Sequence, residues 1–310
     1  MAERVVAVAL TVTLAATAAC GERGGGAGTD APPPSDDATT DATDTGATAD
    51  DDTGDTGDGE EAGAGEAPAT TDSPAAPATP PLTRPDWLGT RVLEEGAPPP
   101  PTPPELDPRR LPTVDHLPPP ADGAFHASVA PVPPEVVARS TWQEACPVTL
   151  DELRYVTVSF WGFDDLPHTG ELLLHRDVAD AVAGVFGDLF AARFPIEDMY
   201  VTPPAELDAP NTGDGNATAA FVCRPTRGSS HWSEHAYGLA IDINPFHNPY
   251  VRDGSLIPGL AATYADRADV RPGMLVPGEG PIEAFAAIGW ERGGAWSNPI
   301  DYMHLSVSGR

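Results

Sequence analysis

Two short stretches near the C-terminal end of the chain contain residue types that bind metal ions and transfer protons. His235 and Asp242 lie seven positions apart in the first stretch, and Asp301 and His304 lie three apart in the second. Two imidazoles and one carboxylate leave the fourth position of a tetrahedral zinc ion for water, as a catalytic site requires. Zinc would polarise that water and a scissile carbonyl, and Asp301 could take the water's proton. The predicted chemistry is metal-assisted hydrolysis.

Hydrophobic patterns predict the elements that must position these residues. Strands are predicted where β-branched, aromatic or alternating apolar residues occur, and helices where apolar residues recur at helical spacing. The predicted strands are 153–161, 172–174 (after a turn at 168–170), 199–202, 238–243 and 304–307, and the predicted helices are 178–194 and 282–288. Strands, then a helix, then strands indicate an α+β fold, with a small antiparallel sheet and flanking helices.

The first twenty residues have the pattern of an export signal. A weakly basic start is followed by an apolar run over 5–16, which is too short to span a bilayer, and then by small residues leading to Cys20. This ending resembles the bacterial lipoprotein box, although Thr17 stands where that box usually has Leu. We therefore expect residues 1–20 to be a lipoprotein-type signal peptide, and Cys20 to be lipidated and held at the membrane, outside the cytoplasm. Secretion without a lipid is the alternative.

Composition divides the rest of the chain into three parts. Residues 21–81 are rich in Gly, Ala, Thr, Asp and Pro and have almost no large apolar residue, so we expect a disordered tether. Residues 82–133 add apolar residues among prolines without a clear period. They predict either an extended strap across the folded domain or more linker. Residues 134–310 are expected to form the globular domain.

The net charge of the chain argues against one class of binding partner. The chain has 17 basic and 47 acidic residues, a formal net charge of −30, and every basic residue is Arg. Such an acidic chain is repelled by nucleic acid, so a nucleic-acid partner is not expected. We expect a monomer that meets the membrane only through its N-terminal lipid.

Two cysteines remain once Cys20 is set aside. Cys146 and Cys223 in an exported chain predict a disulfide bond, and a pair of buried thiols is the alternative.

The motifs together resemble a known family of enzymes. The pattern S-x-H-x-x-G-x-A-x-D at 233–242, with D-x-x-H at 301–304, is similar to that of the M15 zinc peptidases. The family includes D-alanyl-D-alanine carboxypeptidases and L-alanyl-D-glutamate endopeptidases, and the similarity spans roughly 139–310. It implies a hedgehog/DD-peptidase-like fold, Zn²⁺ bound by His235, Asp242 and His304, and Asp301 as general base. The implied reaction is hydrolysis of an amide bond in peptidoglycan stem peptides, by carboxypeptidase or endopeptidase action.

The resemblance also implies a site arginine upstream of His235. Family members use such an arginine to stabilise the developing oxyanion or to hold a substrate carboxylate. Arg224 and Arg227 both occupy suitable positions, and Arg224 is favoured because a bridged Cys223 would hold it in place. The chain departs from the family pattern at Arg292, where relatives often have an aromatic residue, and at Leu305, where Phe is usual.

Two readings without catalysis remain open. Hedgehog signalling domains share the fold and a zinc site, so the chain could be a zinc-containing module that binds the cell wall without turnover. It could also be a structural lipoprotein whose His and Asp residues are merely buried polar groups. His231 and His247 flank the first motif and could line a cleft, whereas His168 and His175 are expected on strands or on the surface.

Overall fold

The computed structural model describes residues 83–94, 96–226 and 228–310. The predicted signal peptide, the lipidation site Cys20, the tether over 21–81 and the alternative site arginine Arg227 lie outside these residues. No helix within the described ranges is long and apolar enough to cross a membrane.

The described part of the chain contains short strands, few helices and several single turns of 3-10 helix. The prediction of a mixed fold with small antiparallel sheets is confirmed. In chain order the elements are β1 (Ala127–Pro131), α1 (Pro134–Val137), β2 (Leu153–Trp161), β3 (Pro167–His175), α2 (Ala179–Ala191), β4 (Asp198–Met199), β5 (Ala217–Thr218), β6 (Ala240–Asp242), β7 (Tyr250–Arg252), β8 (Ser255–Ile257), α3 (Gly280–Ala287), β9 (Glu291–Arg292), β10 (Ile300–Asp301) and β11 (His304–Ser306).

The longest strands form an antiparallel sheet of order β1-β2-β3. Alternate residues of β2, among them Val156 and Val158, are buried against α2, as the two-residue period of a strand requires. Val182 and Phe186 face them from α2, one helical turn apart. The amphipathic pattern at 178–194 therefore predicted this helix correctly, within three residues at its C-terminal end.

The turn predicted at 168–170 is wrong, because these residues continue β3. Gly170 pairs with Val158 of β2. A Cβ atom at Gly170 would lie only 2.8 Å from the Cβ atom of Met199 in β4. Gly170 thus allows β3 and β4 to approach closely, and the chain does not turn there. β4 itself is shorter than the strand predicted at 199–202.

Two further antiparallel sheets lie in the C-terminal half of the described residues, with orders β6-β11-β9 and β10-β7-β8, and β4 pairs with β5 in parallel. β11 is the central strand of its sheet. Leu305 on β11 and Ile241 on β6 are buried in the same hydrophobic cluster as Phe285 of α3 and Trp290. The main core therefore packs directly behind β11, the strand that begins with His304, the last residue of the second predicted metal motif.

The Pro-rich segment before β1 packs into a second hydrophobic cluster. Leu106 and Leu111 are fully buried there with Phe246 and Tyr264. Burying one leucine side chain contributes roughly 1.5–3 kcal/mol. This segment is thus part of the packed structure, and β1 continues it by pairing with β2.

A buried ion pair holds the same segment in place. The Arg109 side chain is 2% exposed and Glu197 is 0% exposed, and the guanidinium makes two hydrogen bonds of 2.6 and 2.7 Å to the carboxylate. Asn216 donates a further hydrogen bond of 2.7 Å to Glu197. Burial alone would raise the pKa of Glu197, but the charge and hydrogen bonds of Arg109 outweigh it, so the pKa lies below its usual value. Glu197 is therefore ionised and paired.

We predict that Arg109→Ala lowers the free energy of unfolding by about 3–5 kcal/mol at pH 7, because it removes the two short hydrogen bonds and the nearest positive charge from the buried Glu197 carboxylate. Urea denaturation followed by circular dichroism measures the change. A carboxyl group with a lowered pKa in the folded state stabilises the fold above its unfolded pKa of about 4.3. The difference between wild type and variant should therefore shrink as the pH falls below about 4.

The matched control is Arg252→Ala, since Arg252 is exposed and lies 3.6 Å from the exposed Asp253. Its removal should change stability by at most about 0.5 kcal/mol. Equal effects of the two substitutions would contradict the structural role given to Arg109.

Candidate functional site

The register between β6 and β11 brings the two predicted motifs together. In this antiparallel pair Asp242 lies directly opposite His304. The Nδ1 atom of His304 is 3.2 Å from Asp242 Oδ1, and the Nε2 atom of His235 is 3.3 Å from the same oxygen. The two imidazole nitrogens are 3.2 Å apart. Three ligand-type atoms from separate positions of the chain thus form a nearly equilateral triangle.

A short, capped turn carries His235 to this triangle. The Ser233 side chain accepts a hydrogen bond from the His235 backbone N–H, and a 3-10 helix follows over Glu234–Tyr237. Gly238 ends it with a φ of +68°. A Cβ atom at Gly238 would lie 2.7 Å from the backbone nitrogen of His175, so glycine is required both for the left-handed backbone and for the space. β6 begins two residues later and delivers Asp242.

Backbone carbonyls orient both imidazole rings. His235 Nδ1 lies 2.6 Å from the Ala220 carbonyl oxygen, and His304 Nε2 lies 3.0 Å from the Arg310 carbonyl oxygen. Carbonyl oxygens only accept hydrogen bonds, so these nitrogens carry the protons. In the neutral rings the lone pairs are then on His235 Nε2 and His304 Nδ1, the two atoms of the triangle.

The three side chains fit a zinc ion. Nitrogen and carboxylate ligands lie about 2.0–2.1 Å from zinc, and a tetrahedral arrangement at that length separates any two of them by about 3.3 Å. The observed separations of 3.2, 3.3 and 3.2 Å match this spacing. Among the described residues, His235, Asp242 and His304 form the group of His, Cys, Asp or Glu side chains that could hold a metal ion.

The electrostatics of the group also favour a bound cation. Burial would raise the pKa of Asp242, but His235 and His304 hold it well below its usual range. Burial would lower the pKa of His304, but the hydrogen bond and charge of Asp242 raise it. The ionised carboxylate thus attracts positive charge to the centre of the triangle, and a metal ion would supply it in place of a proton.

Asp301 lies beside the three candidate ligands in a tightly packed turn. It ends β10, opposite Tyr250 of β7. A Cβ atom at Gly293 would lie 2.9 Å from the Cβ atom of Asp301 and 3.2 Å from that of His304. The Gly293 position therefore allows the 3-10 helix over Gly293–Ala295 to pack against the turn that joins Asp301 to His304.

One oxygen of the Asp301 carboxylate is buried and unsatisfied. Asp301 Oδ1 has no hydrogen-bond partner within the described residues. Burial and the negative charge of Asp242 raise the pKa of Asp301 to about 7, against the opposing effect of His304 and of the Met303 and His304 backbone N–H groups. A carboxyl group with a pKa near neutrality, next to a candidate metal centre, is suited to exchanging a proton.

Cys223 and Arg224 lie at the start of a hairpin that leads into His235. Cys146 and Cys223 form a disulfide bond with Cα atoms 5.8 Å apart. Arg224 follows at the base of the hairpin and is half-buried, with its guanidinium donating a 3.2 Å hydrogen bond to the Pro225 carbonyl. Pro225 pairs with Trp232, and the Ser233 backbone N–H donates to the Arg224 carbonyl.

The remaining histidines occupy other environments. His247 is fully buried, and its ring bonds to Asn216 and to the Arg109 carbonyl. Burial lowers the pKa of His247 to about 4, so it is neutral. His231 is exposed. His168 lies on β3 and is buried between two aspartates, Asp115 and Asp164.

Two site features were missed in the sequence. The Trp296 ring lies 5.6 Å from the His304 ring, centroid to centroid, and Gly293 gives the close approach described above. Their signal is the Gly-Gly-x-Trp run that follows Arg292. Arg292, Leu305 and Trp296 line one cavity of about 430 Å³. The two departures from the family pattern therefore share a cavity with a residue that contacts a candidate ligand.

Part of the chain matches a known protein family. Residues 227–307 match the family described as D-alanyl-D-alanine carboxypeptidase. The matched stretch is about a quarter of the chain, and it contains His235, Asp242, Asp301 and His304. The search of curated proteins and the search of solved structures gave no significant match.

We predict about one zinc ion per protein after zinc loading and dialysis, and loss of most of it in His235→Ala, Asp242→Ala and His304→Ala, because each substitution removes one of three ligands. Elemental analysis measures the stoichiometry. His231→Ala, an exposed histidine on the neighbouring hairpin, serves as the control and should retain the ion. Full zinc content in all three ligand variants would contradict the assignment.

Proposed function

We propose that the chain is a zinc-dependent peptidase that hydrolyses an amide bond in the stem peptides of peptidoglycan. The observation that carries this proposal is the triangle of His235, Asp242 and His304 donor atoms, with the buried Asp301 carboxylate beside it. The match to the D-alanyl-D-alanine carboxypeptidase family over residues 227–307 supports a peptidase and this class of substrate. Both carboxypeptidase and endopeptidase action are compatible with these observations.

The proposed mechanism assigns the metal to two imidazoles and one carboxylate. Bound there, Zn²⁺ would act as a Lewis acid toward a water molecule and the scissile carbonyl. His235 and His304 keep their lone pairs directed at the centre because their other ring nitrogens donate to the Ala220 and Arg310 carbonyls. Asp242 supplies the negative charge that offsets part of the cation's charge.

Asp301 is the proposed general base. Its unsatisfied Oδ1 is the atom that would accept the proton of the attacking water and return it to the leaving amine. The Met303 and His304 backbone N–H groups favour the ionised form of the carboxylate and hold its direction. A positive charge in the neighbouring triangle would favour ionisation further, so Asp301 would be ready to accept a proton at neutral pH.

Arg224 is the proposed partner of the developing oxyanion or of a substrate carboxylate. Its support is its place next to the disulfide-bonded Cys223, at the base of the hairpin that continues into His235. Arg227 remains the alternative. The proposed fold is of the hedgehog/DD-peptidase type, and its support is the antiparallel pair β6–β11 that carries Asp242 opposite His304.

The proposed location is outside the cytoplasm, with lipid attached at Cys20 and residues 21–81 acting as a tether to the wall. The support is the N-terminal sequence pattern alone. A disulfide bond between Cys146 and Cys223 is compatible with an oxidising compartment.

Lipidation predicts that radiolabelled palmitate enters the wild-type chain but not Cys20→Ala, and that the variant shifts from the membrane fraction to the medium. Labelling and fractionation of cells expressing each form measure both effects. Cys146→Ala, which leaves the N-terminus intact, should still take up label. Equal membrane retention of wild type and Cys20→Ala, without label in either, would show that Cys20 is not the point of attachment.

Catalysis predicts that Asp301→Asn retains zinc and folding but loses turnover by roughly 10²–10⁴, because the amide keeps the shape of the carboxyl group and does not accept a proton. Mass spectrometry of purified muropeptides after incubation identifies the bond that is cut, and elemental analysis reports the zinc. Asp301→Glu keeps a carboxylate and should retain part of the activity. A metal-ligand role for Asp301 would instead remove zinc and activity together.

Two outcomes would change the proposal. Undiminished cleavage by Asp301→Asn with full zinc would remove Asp301 from the mechanism. Absence of cleavage by zinc-loaded wild type, across a range of wall fragments, would favour the zinc-containing binding module.

A further inference from the structure

One short stretch of backbone supports two of the three candidate ligands. Residues 219–223, called here the support segment, run alongside β6 and the turn that carries His235. Ala219 and Asp242 exchange two backbone hydrogen bonds, of 2.9 and 3.1 Å. The Ala220 carbonyl accepts the 2.6 Å hydrogen bond from His235 Nδ1, and the Val222 N–H donates a 3.1 Å hydrogen bond to the His235 carbonyl.

The support segment is held at both ends. At its start it continues from β5, which pairs with β4. At its end Cys223 is bonded to Cys146, 77 residues earlier in the chain, and the Cys223 N–H donates a 3.0 Å hydrogen bond to the Thr141 hydroxyl. Beyond Cys223 the chain enters the hairpin, where Pro225, Thr226 and Gly228 to Trp232 are exposed. The disulfide bond therefore fixes the support segment at the point where the chain leaves the packed structure and enters a solvent-exposed loop.

From this arrangement we infer that the Cys146–Cys223 disulfide is a positioning element for the metal site, and that the chain binds zinc tightly only when the disulfide is formed. The inference rests on the zinc site of the proposed function. Ligand groups that are already oriented bind a metal more tightly than groups that must be ordered on binding, and the hydrogen-bond partners of metal-ligating imidazoles set that orientation. Without the disulfide, the segment that bonds to the His235 ring and to the Asp242 backbone has lost the covalent attachment at its Cys223 end and keeps there only the hydrogen bond to Thr141 and its packing.

The consequence is control by redox state. A chain with free thiols would hold zinc weakly. Thiol–disulfide exchange with an oxidised dithiol donor would convert it to the tight-binding form: the Cys146–Cys223 bond forms, the donor's S–S bond breaks, and the donor takes up the two electrons and two protons as a dithiol. Reduction by a phosphine reverses the change: the phosphine is oxidised to its oxide with an oxygen atom from water, the S–S bond breaks, and each sulfur gains a proton. The metal ion and its three ligands are the same in both states.

The test compares zinc affinity in the full chain and in the double variant Cys146→Ala/Cys223→Ala, by competition with a chromophoric zinc chelator. The expected result is a loss of about 10- to 100-fold in the variant, the usual effect of disturbing the groups that orient a metal ligand. Wild type treated with the phosphine should lose affinity to a similar extent. Thr141→Val keeps the disulfide but removes the hydroxyl that accepts from Cys223, so its loss should be smaller.

Leu106→Ala is the control for a merely structural effect. It should destabilise the protein to an extent similar to loss of the disulfide, yet Leu106 is buried in the second hydrophobic cluster, which contains no residue of the support segment. Zinc affinity should therefore stay near the wild-type value in folded Leu106→Ala protein. A second readout is the imidazole proton of His235 in the ¹H NMR spectrum. Its 2.6 Å hydrogen bond predicts a downfield signal in zinc-loaded wild type that is lost or shifted in the double variant.

The outcomes separate the two proposals. Equal zinc affinity in wild type and in the double variant would overturn the positioning role and leave the zinc site intact. An equal loss of affinity in Leu106→Ala and in the double variant would also overturn it, since general destabilisation would then account for both. Wild type that binds no zinc would overturn the proposed function itself.

Discussion

The pairing of β6 with β11 is the constraint on which the candidate site depends. Side chains alternate between the two faces of a strand, so a slip of one residue would move His304 to the opposite face from Asp242. The register is held from behind, because Leu305 and Ile241 lie opposite each other and are buried in the main core. Hydrophobic packing on one face of this sheet thus sets the distances between polar ligand atoms on the other face.

Sequence reasoning succeeded where a local pattern determines the outcome. The β-branched and aromatic run of β2 and the helical spacing in α2 predicted both elements, and the paired motifs contained the residues that the structure brings together. It failed where a residue typical of turns has another role. Gly170 was predicted to form a turn, but it lies within β3, where its small size allows contact with Met199. For residues 82–133 the sequence left a strap across the domain and more linker both open. It did not indicate which residues are buried, because the proline-rich chain has no period and the partners of Leu106 and Leu111 lie about 140 to 160 residues further along.

Two buried acidic residues, Glu197 and Asp301, have pKa values shifted in opposite directions. Glu197 receives hydrogen bonds from Arg109 and Asn216, and its pKa is lowered, so its charge is permanent and structural. Asp301 has an oxygen without a partner within the described residues and a pKa raised to about 7. A buried carboxylate with all its hydrogen bonds stabilises the fold. A buried carboxylate that lacks a hydrogen bond is costly to keep ionised, which moves its pKa toward neutrality and suits it to proton transfer. The environments of the two carboxylates therefore distinguish Glu197, which stabilises the structure, from Asp301, which is suited to proton transfer. The residue types alone do not make this distinction.

The packing of the Pro-rich segment also determines how the molecule carries mechanical load. A pull on the chain at residue 83 is met first by the hydrogen bonds between Arg84 and Asp198, and then by the buried contacts of Leu106 and Arg109. Behind them lies β1, whose hydrogen bonds to β2 would have to break before tension passed further along the chain. Along the chain, tension would reach β6 and β11 only after these contacts and the pairing of β1 with β2 had broken.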